Sequence, residues 1–212
     1  PGRYVNAWHG PMAQWDQAGV IDSPARKILG ERLLSGHSIV WLMIGSDDPE
    51  RTKEAREMLA EPLQSLSKTV QLPTGIGLPG SELHSEIPLL LRFSMLEVDR
   101  TDPNEAFLVQ WLSRFRPDDY AAGEPLIVPV FGRGRALEVI PASVLNESLL
   151  EDLTLFLCGA CSCQVKEQNP GFDLLLAVDW KTQLFGEDAA PQAAKRDGGP
   201  SVPELLSIPP GR

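Results

Sequence analysis

Basic residues are scarce in this chain: 19 lysines and arginines stand against 29 aspartates and glutamates, a formal net charge of −10 over 212 residues. Nucleic-acid binding by phosphate neutralisation needs clustered Lys and Arg. The densest basic run, Arg133-Gly134-Arg135, is too small to supply that, so no nucleic-acid partner is expected. Long apolar runs are missing as well. None approaches the ~20 residues that span a bilayer, and no transmembrane segment is expected. Only three histidines occur, His9, His37 and His84, with no His-x-x-x-His spacing to make them metal ligands as a set. No serine sits in a Gly-x-Ser-x-Gly elbow, so no Ser-His-Asp set can be nominated. Gly75 to Gly80 matches Gly-x-Gly-x-x-Gly but follows a helix and a loop, carries Pro79 where a helix should start, and leads into a strand. A dinucleotide site needs the opposite context, so no nucleotide is expected.

Cysteine is absent except within six consecutive residues, Cys158-Gly-Ala-Cys161-Ser-Cys163. With 42% hydrophobic and 23% charged residues the chain can bury a proper core, which excludes wholesale disorder. It begins at Pro1 rather than at a methionine, which suggests that something upstream has been removed. Trp8 and Trp15, beside Gly10-Pro11, indicate a tail that packs onto something, read as the end of a missing module.

Asp22 or Ser23 caps a first helix with Pro24 at its first position and Gly36 at its end; Ala25, Ile28, Leu29, Leu33 and Leu34 form its apolar stripe. Ser38 to Ile44 is almost continuously apolar and predicts a strand buried on both faces. Asp48-Pro49-Glu50 opens a long helix that Pro62 should kink or split. A Gly- and Pro-rich loop over about 70–85 precedes a second strand, Pro88 to Val98. Asp102-Pro103-Asn104-Glu105 reads as a capping box opening a helix to about Phe115. After a polar loop, 116–124, two apolar runs around Gly132-Arg133-Gly134-Arg135 predict a β-hairpin, with Pro129 requiring a bulge or an edge. Asn146 caps a final helix, 147–158. Phe172 to Trp180 fits a helix or a buried strand and forms an apolar addition that covers the sheet or docks a partner. Four regions result: an N-terminal segment and helix (1–36), an α/β domain (37–160), a cysteine-containing extension (161–186) and a low-complexity arm (187–212).

A β-α-β-α-β-β-α order, with Pro125 directly before an apolar strand and Phe131-Gly-Arg-Gly134 in the following turn, resembles the thioredoxin-like sandwich over residues 38–158. The resemblance implies a cis-proline at Pro125. It also implies a redox Cys-x-x-Cys between the first core strand and its helix, where a helix N-terminus favours a thiolate. That junction here is Gly45-Ser46-Asp47-Asp48-Pro49, without cysteine, so thiol–disulfide exchange at this position is excluded. The whole chain also resembles an uncharacterised family of exported bacterial proteins, through Asp22-Ser-Pro-Ala-Arg26, Phe131-Gly-Arg-Gly-Arg135 and Cys158-Gly-Ala-Cys-Ser-Cys163 with Asn169-Pro-Gly171. That likeness implies a periplasmic or extracellular location.

The cysteine cluster follows a helix C-terminus, where the dipole disfavours a thiolate nucleophile. A disulfide from Cys158 to Cys161 or Cys163, pinning the extension to the final helix, is one reading. A metal held by the three thiols, with His84 as fourth ligand, is another. The expectation is a non-catalytic interaction or assembly module with protein partners and no cofactor, Ser46, Asp47 and Asp48 marking a degenerate active-site position. The alternative is a metal-binding or thiol-redox protein using Cys158, Cys161 and Cys163.

Overall fold

A computed structural model describes residues 8–70, 91–158 and 171–185. Within them lies a mixed sheet with helices on both faces. The strands are β1 (Ile39–Ile44), β2 (Phe93–Val98), β3 (Leu126–Phe131), β4 (Arg135–Ala136), β5 (Ile140–Pro141) and β6 (Phe172–Asp173), and the helices α1 (Pro24–Leu34), α2 (Pro49–Thr69), α3 (Ala106–Ser113), α4 (Pro117–Ala121), α5 (Glu147–Cys158) and α6 (Trp180–Phe185). The strand order is β2-β1-β3-β4-β6, and β5 also pairs with β3. β1 and β2 are parallel, whereas β3 is antiparallel to β1 and to β4.

Every residue of β1 and of β3 is buried, as a sheet covered on both faces requires. Alternation along each strand divides the core in two. Val40, Leu42 and Ile44 join Leu126, Val128 and Val130 under α1 and α3. Ile39, Trp41 and Met43 join Ile127 and Phe131 under α2 and α5. α1, assigned by sequence to a separate N-terminal segment, thus packs on the sheet itself, and Trp8 packs against the same core.

Several expectations hold in detail. The Ser23 hydroxyl accepts from Arg26 N, and Asn146 Oδ1 accepts from Leu149 N at 3.0 Å, so both caps form. The bulge forced by Pro129 is present: Ile127 pairs with Ile140 and Val130 with Ala136, leaving Val128 and Pro129 opposite the three residues 137–139. Pro129 O accepts from Leu137 N at 3.1 Å, on the bulge side. Nitrogen and carbonyl of one strand residue face the same neighbour, so the donor that proline lacks falls at the bulge and the β1 ladder is spared.

Others do not. α2 runs unbroken from Pro49 to Thr69 with Pro62 inside it. Proline removes one i→i−4 bond, but Leu59, Leu63 and Leu66 on either side are buried in the second core and hold both halves in register. The polar loop contains α4, whose Pro117 and following Asp118 and Asp119 are first-turn residues. β2 begins only at Phe93, and residues 88–90 of the expected strand lie outside the described residues, as do 71–87. Phe172 to Trp180 forms neither one helix nor one strand. It pairs briefly through β6, crosses irregularly with Leu175 at φ 51°, and turns into α6 at Trp180. It nonetheless covers the first core. Leu174 is fully buried, and the Phe172 ring stacks on Phe115 at 4.4 Å.

The capping box at Asp102 is half made. Asp102 Oδ1 accepts from Asn104 N, but Glu105 does not reach back to residue 102. It is buried and accepts the Ala25 N–H at 2.6 Å, capping α1 across 80 residues. Arg26, also buried, lies beside it. Its guanidinium donates to the carbonyls of Gly19, Val20 and Leu175 and stacks on Phe107, with 4.8 Å to the ring centroid. Burial pushes the Glu105 carboxyl above and the Arg26 guanidinium below their ordinary values. The two side chains join four segments at one point.

Candidate functional site

In an open α/β sheet the crevice beyond the carboxyl ends of the parallel strands is where chemistry gathers. Here that position lies after β1, at the start of α2, and next to the segment entering β3. The sequence-nominated Ser46, Asp47, Asp48 and Pro125 all border it.

The polar side chains of Ser46 and Asp48 are committed to backbone, and that of Asp47 to Arg100. Ser46 Oγ donates to the Gly123 carbonyl at 2.5 Å and accepts from Asp48 N at 3.0 Å. Ser46 N donates to Thr52 Oγ1 at 2.8 Å. Asp48 caps α2 by accepting from Glu50 N at 2.9 Å, a site any helix start uses. Asp47 accepts from Arg100 Nη1 at 3.0 Å. Gly123, at φ 76°, adopts the left-handed conformation that lets the chain turn back over Ser46.

Arg100 is the residue sequence reasoning missed. It follows β2 and is buried. Its Nε donates to Gly45 O at 2.7 Å, Nη1 also to Tyr120 O at 3.3 Å, and Nη2 to Glu124 O at 2.9 Å. The guanidinium lies 4.3 Å from the Tyr120 ring centroid, and burial pushes that phenol above its usual value. Buried arginine is rare unless its donors are satisfied, and here three carbonyls from three segments satisfy them. The only signal in the sequence was Asp99-Arg100 closing an apolar strand.

Beside this network a shallow groove of about 340 Å³ is lined by Arg51, Glu54, Met58, Glu124, Pro125 and Ser143 among others. Glu124 is held by Ser143 N at 2.6 Å and Arg51 by the Ala122 carbonyl at 2.9 Å. Among the described residues no peptide bond is cis, which corrects the expectation at Pro125: its peptide is trans, and its carbonyl accepts from Ala142 N at 2.9 Å.

The second nominated site is reached only in part. Cys158 ends α5, half-buried against the second core. α5 itself begins just after β5, so roughly 18 Å of helix separates its start from Cys158. Cys161, Cys163 and His84 lie outside the described residues, as do Gly75 to Gly80 and the arm from 187 onward. Among the described residues no three His, Cys, Asp or Glu side chains gather as a metal site, and no helix is long and apolar enough to cross a membrane.

Comparison of the chain with protein families, curated proteins and solved structures found no match.

Proposed function

We propose that the chain is a non-catalytic thioredoxin-like module that serves as an interaction or assembly subunit of a larger complex. One observation carries this reading. The β1–α2 junction, where a thioredoxin-type enzyme holds its nucleophile, is occupied by Ser46, Asp47 and Asp48, each bonded to backbone or to Arg100. The strand order β2-β1-β3-β4, with β3 antiparallel to its neighbours, supports the fold assignment. So does the placement of α2 and α5 on one face and α3 on the other.

The interaction role draws on exposed apolar side chains at the N-terminal segment, Met12, Trp15 and Ile21, and on Leu155 and Phe156 of α5. A periplasmic or extracellular site follows from the chain's resemblance to exported bacterial proteins. The cysteines then act as a clasp between α5 and the extension. A metal or redox role for Cys158, Cys161 and Cys163 is the second reading, which rests on three soft ligands within six residues.

Thiol titration with and without reductant, beside metal analysis of the purified chain, separates the two. Two thiols gained on reduction support the clasp; metal released on thiol blocking supports the site. Catalysed reduction of a disulfide substrate would overturn the non-catalytic reading.

A further inference from the structure

Among the described residues, Leu175 is the one residue other than glycine with a positive φ, at 51°. That conformation is uncommon for leucine and costs free energy that a glycine there would not. Its neighbours explain the bend. Leu174 is fully buried, and Leu176 packs against the first core beside Gly134. They do not explain the leucine, whose side chain neither the bend nor the core uses: it is 59% exposed.

Two more large apolar side chains belong to the same place. Arg26 holds the Leu175 carbonyl through Nη1 and the Val20 carbonyl through Nη2, each at 3.1 Å. Ile21, next to Val20, is 62% exposed. Val20 N donates at 3.2 Å to the carbonyl of Trp15, which is 41% exposed. The backbones at Trp15, Ile21 and Leu175 are thus drawn together at one buried guanidinium, while their side chains offer apolar surface to water. Apolar side chains grouped in this way mark a docking surface, and strain kept at an exposed residue points the same way.

A second copy of the chain is opposed by repulsion between two net charges of −10. The C-terminal arm is better matched. Residues 186–212 lie outside the described residues, and their only large apolar side chains are Val202, Leu205, Leu206 and Ile208, gathered in one run. An arm otherwise of glycine, proline, alanine and polar residues cannot bury that run by itself. The arm also starts close by. Trp180, at the start of α6, packs against the first core, and α6 ends at Phe185. The path from Leu175 to Trp180 spans at most about 18 Å, and α6 adds about 9 Å. Residues 186–201 reach about 50 Å when extended, so the run meets the surface without strain. Tethering places it there at an effective concentration in the millimolar range, where modest contacts suffice.

We propose, on the interaction reading given above, that the arm folds back so that Val202, Leu205, Leu206 and Ile208 cover Trp15, Ile21 and Leu175, and that a partner reaches this surface by displacing the arm. Methyl NMR of the full chain is the test. Nuclear Overhauser contacts should join the Leu205, Leu206 or Ile208 methyls to Ile21, Leu175 or the Trp15 ring. They should persist unchanged on about tenfold dilution, as an intramolecular contact does. Leu205→Ser combined with Leu206→Ser should abolish them and shift the Ile21 and Leu175 methyls, while buried Leu174 keeps its signal. Leu175→Gly should abolish them too, again with Leu174 in place, because glycine takes the bend freely. Contacts that vanish on dilution identify a second copy as the occupant and overturn the proposal. Absence of contacts, or surface signals unmoved by the arm substitutions, leaves the surface to a separate partner and overturns it as well. Contacts intact in Leu175→Gly do the same. None of these failures touches the non-catalytic reading, which stands or falls on the disulfide-reduction assay.

Discussion

Arg100 Nη1 donates to Asp47 Oδ2 at 3.0 Å, yet the two partners differ sharply in exposure: the arginine side chain is 4% exposed and the aspartate side chain 67%. The pair ties the loop after β1 to the end of β2, but the weight of the interaction lies with the arginine. Its other donors reach Gly45, Tyr120 and Glu124 carbonyls, so it closes the crevice where a catalytic group would stand.

Arg100→Ala should therefore destabilise the chain by about 3 kcal/mol or more, because several charge-assisted bonds are lost and carbonyls are left without donors. Asp47→Ala should cost less than about 1 kcal/mol, as an exposed ion-pair partner does. Urea unfolding of both variants measures the asymmetry. Equal losses would contradict it.

Glu105 gives a pH signature. Its folded pKa is raised by burial despite help from Ser23, the Ala25 N–H and Arg26. A raised carboxyl binds its proton more tightly in the folded state. The stability it contributes is thus complete below the unfolded value, about 4.3, and is lost as pH rises through the folded value. Glu105→Gln keeps the acceptor for Ala25 N and cannot ionise. The stability of the variant relative to the parent should improve as pH is raised from the acid side of that window to neutrality, read from denaturant midpoints at each pH. A difference that moves the other way would show that Glu105 is held as a charged partner of Arg26.

Pro62 stands half-buried in the middle of α2, between Leu59 and Leu63 of the second core. Proline in a helix interior costs about 3 kcal/mol relative to alanine, partly offset by its restriction of the unfolded chain. Pro62→Ala should raise stability by about 2 kcal/mol. A thermal melt lower than the parent's would indicate that the ring's packing and its restriction of the unfolded chain outweigh the restored helix bond.

The regular elements were legible because their signals are local. Pro24 and Pro49 mark helix starts, and the apolar runs of β1 and β3 mark buried strands, each read from a few neighbouring residues. The long-range polar contacts were not. Glu105 sits in a sequence pattern that predicts a local capping box, but its carboxylate caps α1 instead, because the fold brings Ala25 N within 2.6 Å. Arg26 and Arg100 are ordinary surface residue types by composition, and only their surroundings make them internal. Ser46, Asp47 and Asp48 were placed at the correct junction, yet the hydrogen bonds that close it come from Gly123 and Arg100, more than fifty residues away. His37 and Ser94 form a pair across 57 positions that no spacing rule reveals. The irregular path from Phe172 to Trp180 escaped a helix-or-strand choice because its burial is set by Gly134 and Gly30. A Cβ on either glycine would stand within 2.8 Å of Leu176 or Val178.

The central claim is that the β1–α2 junction does no thiol chemistry and that the chain as a whole is not a dithiol oxidoreductase. Reduction of insulin disulfides by the purified full chain, with dithiothreitol as electron donor, tests it most directly. The rate should equal that of dithiothreitol alone and be unchanged in Cys158→Ser, Cys161→Ser and Cys163→Ser. A rate well above that background, abolished by any of those substitutions, would contradict the account.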